Sequence, residues 1–130
     1  MTVDQSWMLE EVTGVRGVRH AVVLSADGLV RAHCAQTSQE DAERLAAACA
    51  GLKSIGASLA RQFGAGATSR QVMVEFDGHG GYLFVRGAGD GSHLAVVTEQ
   101  AVDPALIAQQ MQAQVLKIGA PNFGTPARES

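Results

Sequence analysis

Residues 38–63 constrain the fold more than any other part of the sequence, because they predict one long helix with two unusual faces. Ser38 is a good N-cap residue, and three of the next five residues are acidic, which suits the positive end of the helix dipole. At steps of four, three, four, three and four residues the segment carries one apolar stripe, formed by Leu45, Cys49, Leu52, Gly56, Leu59 and Phe63. We predict that this stripe packs on a β-sheet.

The opposite side of the same helix is made of small residues: Ala46, Ala47, Ala50, Gly51, Ser54, Ala57 and Ser58. A surface helix normally carries charged residues on the side that faces water, yet between positions 45 and 62 only Lys53 and Arg61 are charged. Small side chains let a second backbone approach closely, so we predict that this face packs on another copy of the chain in a homodimer. The expected helix-to-helix seam consists of Ala47, Ala50, Gly51, Ser54 and Ser58. The alternative is an alanine-rich helix whose back is solvated.

The other segments predict an α+β domain, with one antiparallel sheet and helices on its faces. A short N-terminal helix precedes a hairpin, whose tight primed turn is expected at Asp27-Gly28. Its first strand segment, VRHAVVLSA at residues 18–26, is apolar on both faces at its middle and should lie inside the sheet rather than at its edge. Three short strands joined by glycine-rich turns follow the long helix, and a last helix ends the domain. We expect residues 1–119 to form one domain and residues 120–130 a flexible C-terminal tail.

Charge and composition argue against several classes of function. Ten Lys and Arg against thirteen Asp and Glu give a net charge of −3, and no basic run is present, so nucleic-acid binding is not expected. Two cysteines, Cys34 and Cys49, are too few for a disulfide framework. The sequence pattern of a signal peptide and that of a membrane-spanning segment are both missing. The expectation is a soluble, cytoplasmic protein with free thiols and no direct membrane insertion.

The motifs of the common catalytic and cofactor-binding sites are also missing from the sequence. It contains no GxxxxGK[ST] phosphate loop, no GxSxG nucleophile motif and no HExxH zinc motif. His33 and Cys34 are neighbours on a strand and point to opposite faces, so they cannot hold one metal ion together. We therefore assign no catalytic residue, no cofactor and no metal ligand.

Two stretches of the sequence resemble the roadblock/LC7 family, in particular its actinobacterial members. These are the hairpin GVRHAVVLSADGLVRA and the helix SQEDAERLAAACAGLKSIGASLARQFG, and a glycine-rich meander follows them as in the family. The resemblance covers residues 5–119. It implies a five-stranded antiparallel sheet in the order 2-1-5-4-3, with the long helix on one face and the two terminal helices on the other. It also implies a homodimer formed by the long helix and the edge strand at residues 70–76, with Gln71, Met73 and Glu75 on one side of that strand.

The resemblance also implies a function. Members of the family are regulators and scaffolds of small Ras-like GTPases or light chains of motor complexes, and some bacterial members stimulate GTP hydrolysis by a partner. In actinobacteria similar proteins are encoded beside a sensor-kinase-like protein and a Ras-like GTPase. The family has no shared catalytic motif, so the expectation is a non-enzymatic homodimeric regulator. Arg44 and Arg61 are the arginines that could act as fingers, although arginine on a helix is usually only a solvated charge.

A sensor of the PAS or GAF kind is the alternative, because such modules also have a five-stranded antiparallel sheet. They enclose a ligand cavity between sheet and helices, which aromatic side chains usually line. Aromatic residues make up only 5% of this sequence, and the predicted core positions are mostly Val, Leu, Ile and Ala, which favour a filled interior. A cavity of several hundred Å3 between sheet and helix would favour the sensor.

Overall fold

The computed structural model describes residues 6–120 of the 130-residue chain, and its helices and strands follow the predicted order. A single 3-10 turn at Ser6–Met8 leads into the first helix. The elements are α1 (Glu10–Thr13), β1 (Val18–Leu24), β2 (Val30–His33), α2 (Gln39–Phe63), β3 (Gln71–Phe76), β4 (Gly81–Gly87), β5 (His93–Thr98) and α3 (Pro104–Gly119). Apart from Ala120, the predicted tail lies outside the described residues.

The five strands form one antiparallel sheet in the order β2-β1-β5-β4-β3, as the resemblance implied. Residues 21–24 of β1 are all buried, which confirms that this strand is covered on both faces. The two edges differ in length, because β2 has four residues and β3 has six.

Helices cover both faces of the sheet, and the sheet separates the apolar interior into two layers. On one face α1 and α3 enclose the larger apolar cluster, and α2 lies on the other face over a smaller one. The larger layer includes Met8, Val12, Phe84, Val96, Ile107 and Met111, and the smaller layer includes Val22, Leu24, Cys49, Leu83, Val85 and Ala95. This confirms the predicted α+β arrangement.

Both long helices begin where the sequence predicted. The Ser38 hydroxyl accepts a hydrogen bond from the Asp41 amide at 3.1 Å, and the Asp103 carboxylate accepts one from the Ala105 amide at 3.0 Å. These side chains satisfy donors that have no partner inside the helix. α2 ends at Phe63 and Gly64 caps it, as expected from its glycine-rich continuation.

The β1–β2 turn differs from the prediction. A two-residue primed turn needs a positive φ at the first central residue, but in this turn only Gly28 has one, at 88°. Its amide donates to the Ser25 carbonyl at 2.9 Å, so the turn spans four residues, and the register of the two strands shifts just before it, between Val23 and Leu24. The Ser25 hydroxyl binds both the Asp27 carboxylate and the Leu29 amide. These local hydrogen bonds favour the longer turn, so the prediction of a tight primed turn was wrong.

A buried glutamine joins the N-terminal helices to α3. Gln114 is fully buried; its side-chain oxygen accepts from the Glu11 amide at 2.7 Å, and its nitrogen donates to the Trp7 carbonyl at 2.9 Å. Both backbone groups would lose their partner in a Gln114→Met variant of similar shape. We expect the free energy of unfolding to fall by about 1–3 kcal/mol, as measured by urea denaturation.

The matched control is Gln109→Met, because Gln109 is exposed on the same helix. This variant should change the free energy of unfolding by less than about 0.5 kcal/mol. Equal losses in the two variants would contradict a structural role for the Gln114 hydrogen bonds.

Candidate interaction surface

The side of α2 that packs on the sheet is not the predicted one. Ala42, Ala46 and Cys49 are completely buried, whereas Leu59 is 52% exposed and Phe63 is 80% exposed. Of the predicted core stripe only Cys49 is fully buried, although Leu45 and Leu52 also pack partly against the sheet, and Ala46 and Ala50 of the small-residue face join them there. The prediction that the whole stripe packs on the sheet was therefore wrong at Leu59 and Phe63, and α2 is rotated so that its buried side includes Ala42, Ala46 and Cys49.

Close approach explains why small residues face the sheet. A Cβ atom built on Gly28 would lie 3.2 Å from the Cβ of Ala50, so the β1–β2 turn already touches α2. Near the other end of the helix, a Cβ on Gly56 would lie 3.1 Å from Cγ2 of Val72. At these distances larger side chains do not fit between the helix and the sheet, and the leucines are displaced to the flank.

The displaced residues form an apolar stripe on the outer flank of α2. We call it the leucine stripe: Leu45, Ala48, Leu52, Ile55, Leu59 and Phe63. Its first five members follow at steps of three, four, three and four residues, the spacing of a helix that packs along another helix. Ile55 is 60% exposed, and only Leu45 and Leu52 are partly covered by their own sheet. A stripe of this kind is typical of an interface.

The edge strand β3 is a second open surface. It is the last strand of the sheet, so its outer backbone groups have no strand partner among residues 6–120. Met73 and Phe76 are exposed, and Glu75 is the strand's one charged residue. Native proteins protect edges with charges, proline or bulges, and β3 carries little such protection.

The predicted seam residues lie in several environments. On α2, Ala47, Gly51 and Ser54 are exposed, Ser58 is half-buried, and Ala50 packs against the chain's own sheet. On β3, Met73 and Glu75 are exposed on the face toward α3, and Gln71 is half-buried there. Their contact with a second copy stays a prediction.

Lysine and cysteine side chains on α2 have structural roles. Lys53 is buried and donates to the Ser69 carbonyl at 2.9 Å, which ties the helix to the segment before β3. Burial, with the nearby Arg86 charge, lowers the pKa of Lys53. Burial also raises the pKa of Cys49 to about 12, so its thiol is not ionised at neutral pH and is a poor nucleophile.

The described residues offer little to a metal ion or a membrane. Within residues 6–120 no group of three His, Cys, Asp or Glu side chains is arranged to hold a metal. In that same part of the chain, no helix is both long and apolar enough to cross a membrane. The notable features are the leucine stripe and the open edge of β3, which favour contact with another protein.

Comparison with known proteins gives a consistent family. The Roadblock/LC7 domain model matches residues 5–98. A solved Roadblock/LC7 domain from Streptomyces avermitilis is 37% identical, with a TM-score of 0.78, over 87% of this chain and 92% of that one. No curated protein sequence matches the chain.

More distant structures share the fold alone. MglB from Myxococcus xanthus is 15% identical, with a TM-score of 0.70, over 86% of this chain and 85% of that one. Profilin II from Acanthamoeba castellanii is 19% identical, with a TM-score of 0.66, over 92% of this chain and 98% of that one.

Proposed function

The chain belongs to the Roadblock/LC7 family, and from this premise we propose that it is a non-enzymatic homodimeric regulator or scaffold of a small Ras-like GTPase. The observation that carries the proposal is the pair of uncovered surfaces, the leucine stripe on α2 and the edge of β3. Together they supply an apolar seam and a row of free backbone groups, which is what a second copy needs.

A twofold axis beside β3 would satisfy both surfaces at once. The two β3 strands would pair antiparallel, so that the sheet continues from one protomer into its partner. The two α2 helices would then lie side by side on the same face of the joined sheet, with the leucine stripes between them. This proposal moves the helix seam from the small-residue flank to the leucine stripe, because Ile55, Leu59 and Phe63 are the large apolar side chains that α2 leaves exposed.

The dimer would regulate the GTPase by binding it with its own surface rather than by supplying a catalytic residue. A partner that holds the switch loops in their ordered arrangement can accelerate hydrolysis by the GTPase's own residues. An arginine finger from Arg44 is disfavoured, because its guanidinium is paired with Glu40 at 2.9 Å and Asp41 at 3.5 Å on the same helix. A sensor-kinase-like partner and a cytoplasmic location stay predictions.

One cleft bears on the alternative of a PAS or GAF sensor. A space of about 420 Å3 lies between α2 and the sheet, lined in part by His20, Leu45 and Val97. It opens sideways at the leucine stripe, and two of its lining residues belong to that stripe, so its place suits the partner's helix better than an enclosed ligand. Family membership also favours the regulator.

The test of the function is a pull-down from the native cell extract with the full chain as bait. It is run in parallel with GDP and with a non-hydrolysable GTP analogue. Recovery of a Ras-like GTPase in one nucleotide state only is the expected result. Recovery of equal amounts of GTPase with both nucleotides, or recovery of no GTPase at all, would contradict the proposed regulation.

A further inference from the structure

A second cleft lies at the far side of the sheet from α2, beside the start of β3. Its volume is about 400 Å3, and its walls come from the loop before β3, the end of β4 and the last turns of α3. The polar side chains of the lining are Thr68, Ser69, Arg70, Arg86 and Gln112. This cleft is separate from the leucine stripe.

Positive charge is concentrated at the cleft without a compensating carboxylate. Arg86 donates only to amide oxygens, to Gln71 at 3.0 Å and to Gln112 at 2.6 Å. Within residues 6–120, no carboxylate forms an ion pair with Arg70 or Arg86. Buried Lys53 lies close enough to Arg86 for the two charges to interact.

The arginines also repel one another. Burial and the neighbouring Arg70 charge lower the pKa of Arg86, and Arg86 in turn contributes to the lowered pKa of Lys53. A set of like charges brought together without a counter-charge destabilises a fold, and such sets are common at sites that bind a ligand of opposite charge.

We propose that this cleft binds a phosphoryl group, held by the guanidinium groups of Arg70 and Arg86 with the Thr68 hydroxyl at its side. A guanidinium has five N–H donors in a fixed fork, and the two amide contacts leave Arg86 with donors for a ligand. Two guanidiniums and a hydroxyl suit the three oxygens of a phosphoryl group better than a carboxylate, which one guanidinium already satisfies. The inference does not depend on GTPase regulation.

The phosphoryl group has two sources, a free phosphate ester or a phosphorylated side chain of a partner protein. Both present the same oxygens to the arginines. Inorganic phosphate and a short phosphoserine peptide therefore serve as the two probes, with the unphosphorylated peptide as a blank. Tighter binding of the phosphopeptide than of inorganic phosphate would identify a phosphorylated partner protein. Equal binding of the two probes would identify a free phosphate ester as the ligand.

The experiment is an NMR titration of the full chain at constant ionic strength. We expect saturable shifts of the Ser69, Gly87 and Gly89 amides with phosphate, and none with chloride. Arg70→Gln and Arg86→Gln should each weaken binding by about tenfold or more, since each removes charge-assisted hydrogen bonds. Arg70 is exposed, so its replacement should leave the fold intact.

Arg19→Gln is the matched control, because it removes the same charge from an exposed position on β1. Binding should be unchanged in this variant. Equal weakening in Arg19→Gln and Arg70→Gln would reduce the effect to net charge and overturn the site. Chemical shifts that do not saturate with phosphate would also overturn the site. Phosphate binding that appears only in a Glu75→Gln variant would overturn it as well, because it would mean that the Glu75 carboxylate of a second copy fills the cleft in the wild-type protein.

Discussion

Replacing Leu59 by aspartate is expected to convert the proposed dimer into a monomer. Leu59 lies in the leucine stripe and is 52% exposed in one chain, so the isolated fold should tolerate the change. In the dimer the substitution places an unpaired carboxylate in an apolar seam, and symmetry places it there twice. A loss of about 4 kcal/mol would raise the dissociation constant about a thousandfold. Light scattering after gel filtration should show the mass fall from twice 13.5 kDa to 13.5 kDa.

Ser54→Asp is the matched control on the same helix. It introduces the same charge at an exposed position of the small-residue flank, outside the leucine stripe. We expect this variant to keep the dimer mass. The opposite pair of results, with Ser54→Asp monomeric and Leu59→Asp dimeric, would restore the seam of Ala47, Ala50, Gly51, Ser54 and Ser58.

Replacing Gly81 by alanine is expected to lower the free energy of unfolding by about 3–5 kcal/mol, measured by urea denaturation. Gly81 opens β4 with a φ of 82°, in the region that side chains disfavour. An added Cβ would lie 1.9 Å from the carbonyl oxygen of Thr98. Thr98 is completely buried in the central part of the sheet, so its backbone cannot move aside without loss of strand pairing.

Gly78→Ala separates backbone strain from the steric clash. Gly78 also has a positive φ, at 66°, but nothing lies within 4 Å of an added Cβ. This variant should therefore lose only about 1 kcal/mol. Equal losses at the two positions would show that the contact with Thr98 contributes nothing.

Much of the fold could be predicted from the sequence because local chemistry and global arrangement agree. Ser38 and Asp103 are caps, and Gly64 stops α2, as their residue types indicate. The central place of β1 follows from apolar residues on both of its faces. The sheet order came from the family resemblance rather than from periodicity, since strand pairing across a long helix leaves no local signal.

The orientation of α2 could not be predicted from hydrophobicity alone. The helix carries two faces that are apolar or small, so the hydrophobic pattern fits either orientation. Size sets the rotation of the helix between them, because the Gly28 turn leaves room only for Ala46 and Ala50 of the small-residue face, and Val72 only for Gly56 of the predicted stripe. Steps of three and four residues from Leu45 through Ala48 to Leu59 were the available signal for the exposed stripe.

The phosphoryl cleft also had no signal in the sequence. Arg70 and Arg86 are far apart in the chain, and only the pairing of β3 with β4 brings them together. Neither arginine belongs to a basic run or a phosphate loop. The net charge of −3 is a sum over the whole chain, so it does not indicate this local excess of positive charge.

Hydrogen exchange of the β3 amides tests the dimer most directly, because it observes the edge strand itself. If two copies join their sheets, the amides of residues 71–76 that point away from β4 should exchange slowly in the wild-type chain. In Leu59→Asp they should exchange much faster, while the amides of β1 and β5 stay protected in both. Exchange of β3 at one and the same rate in the two proteins would mean that no second copy covers this edge.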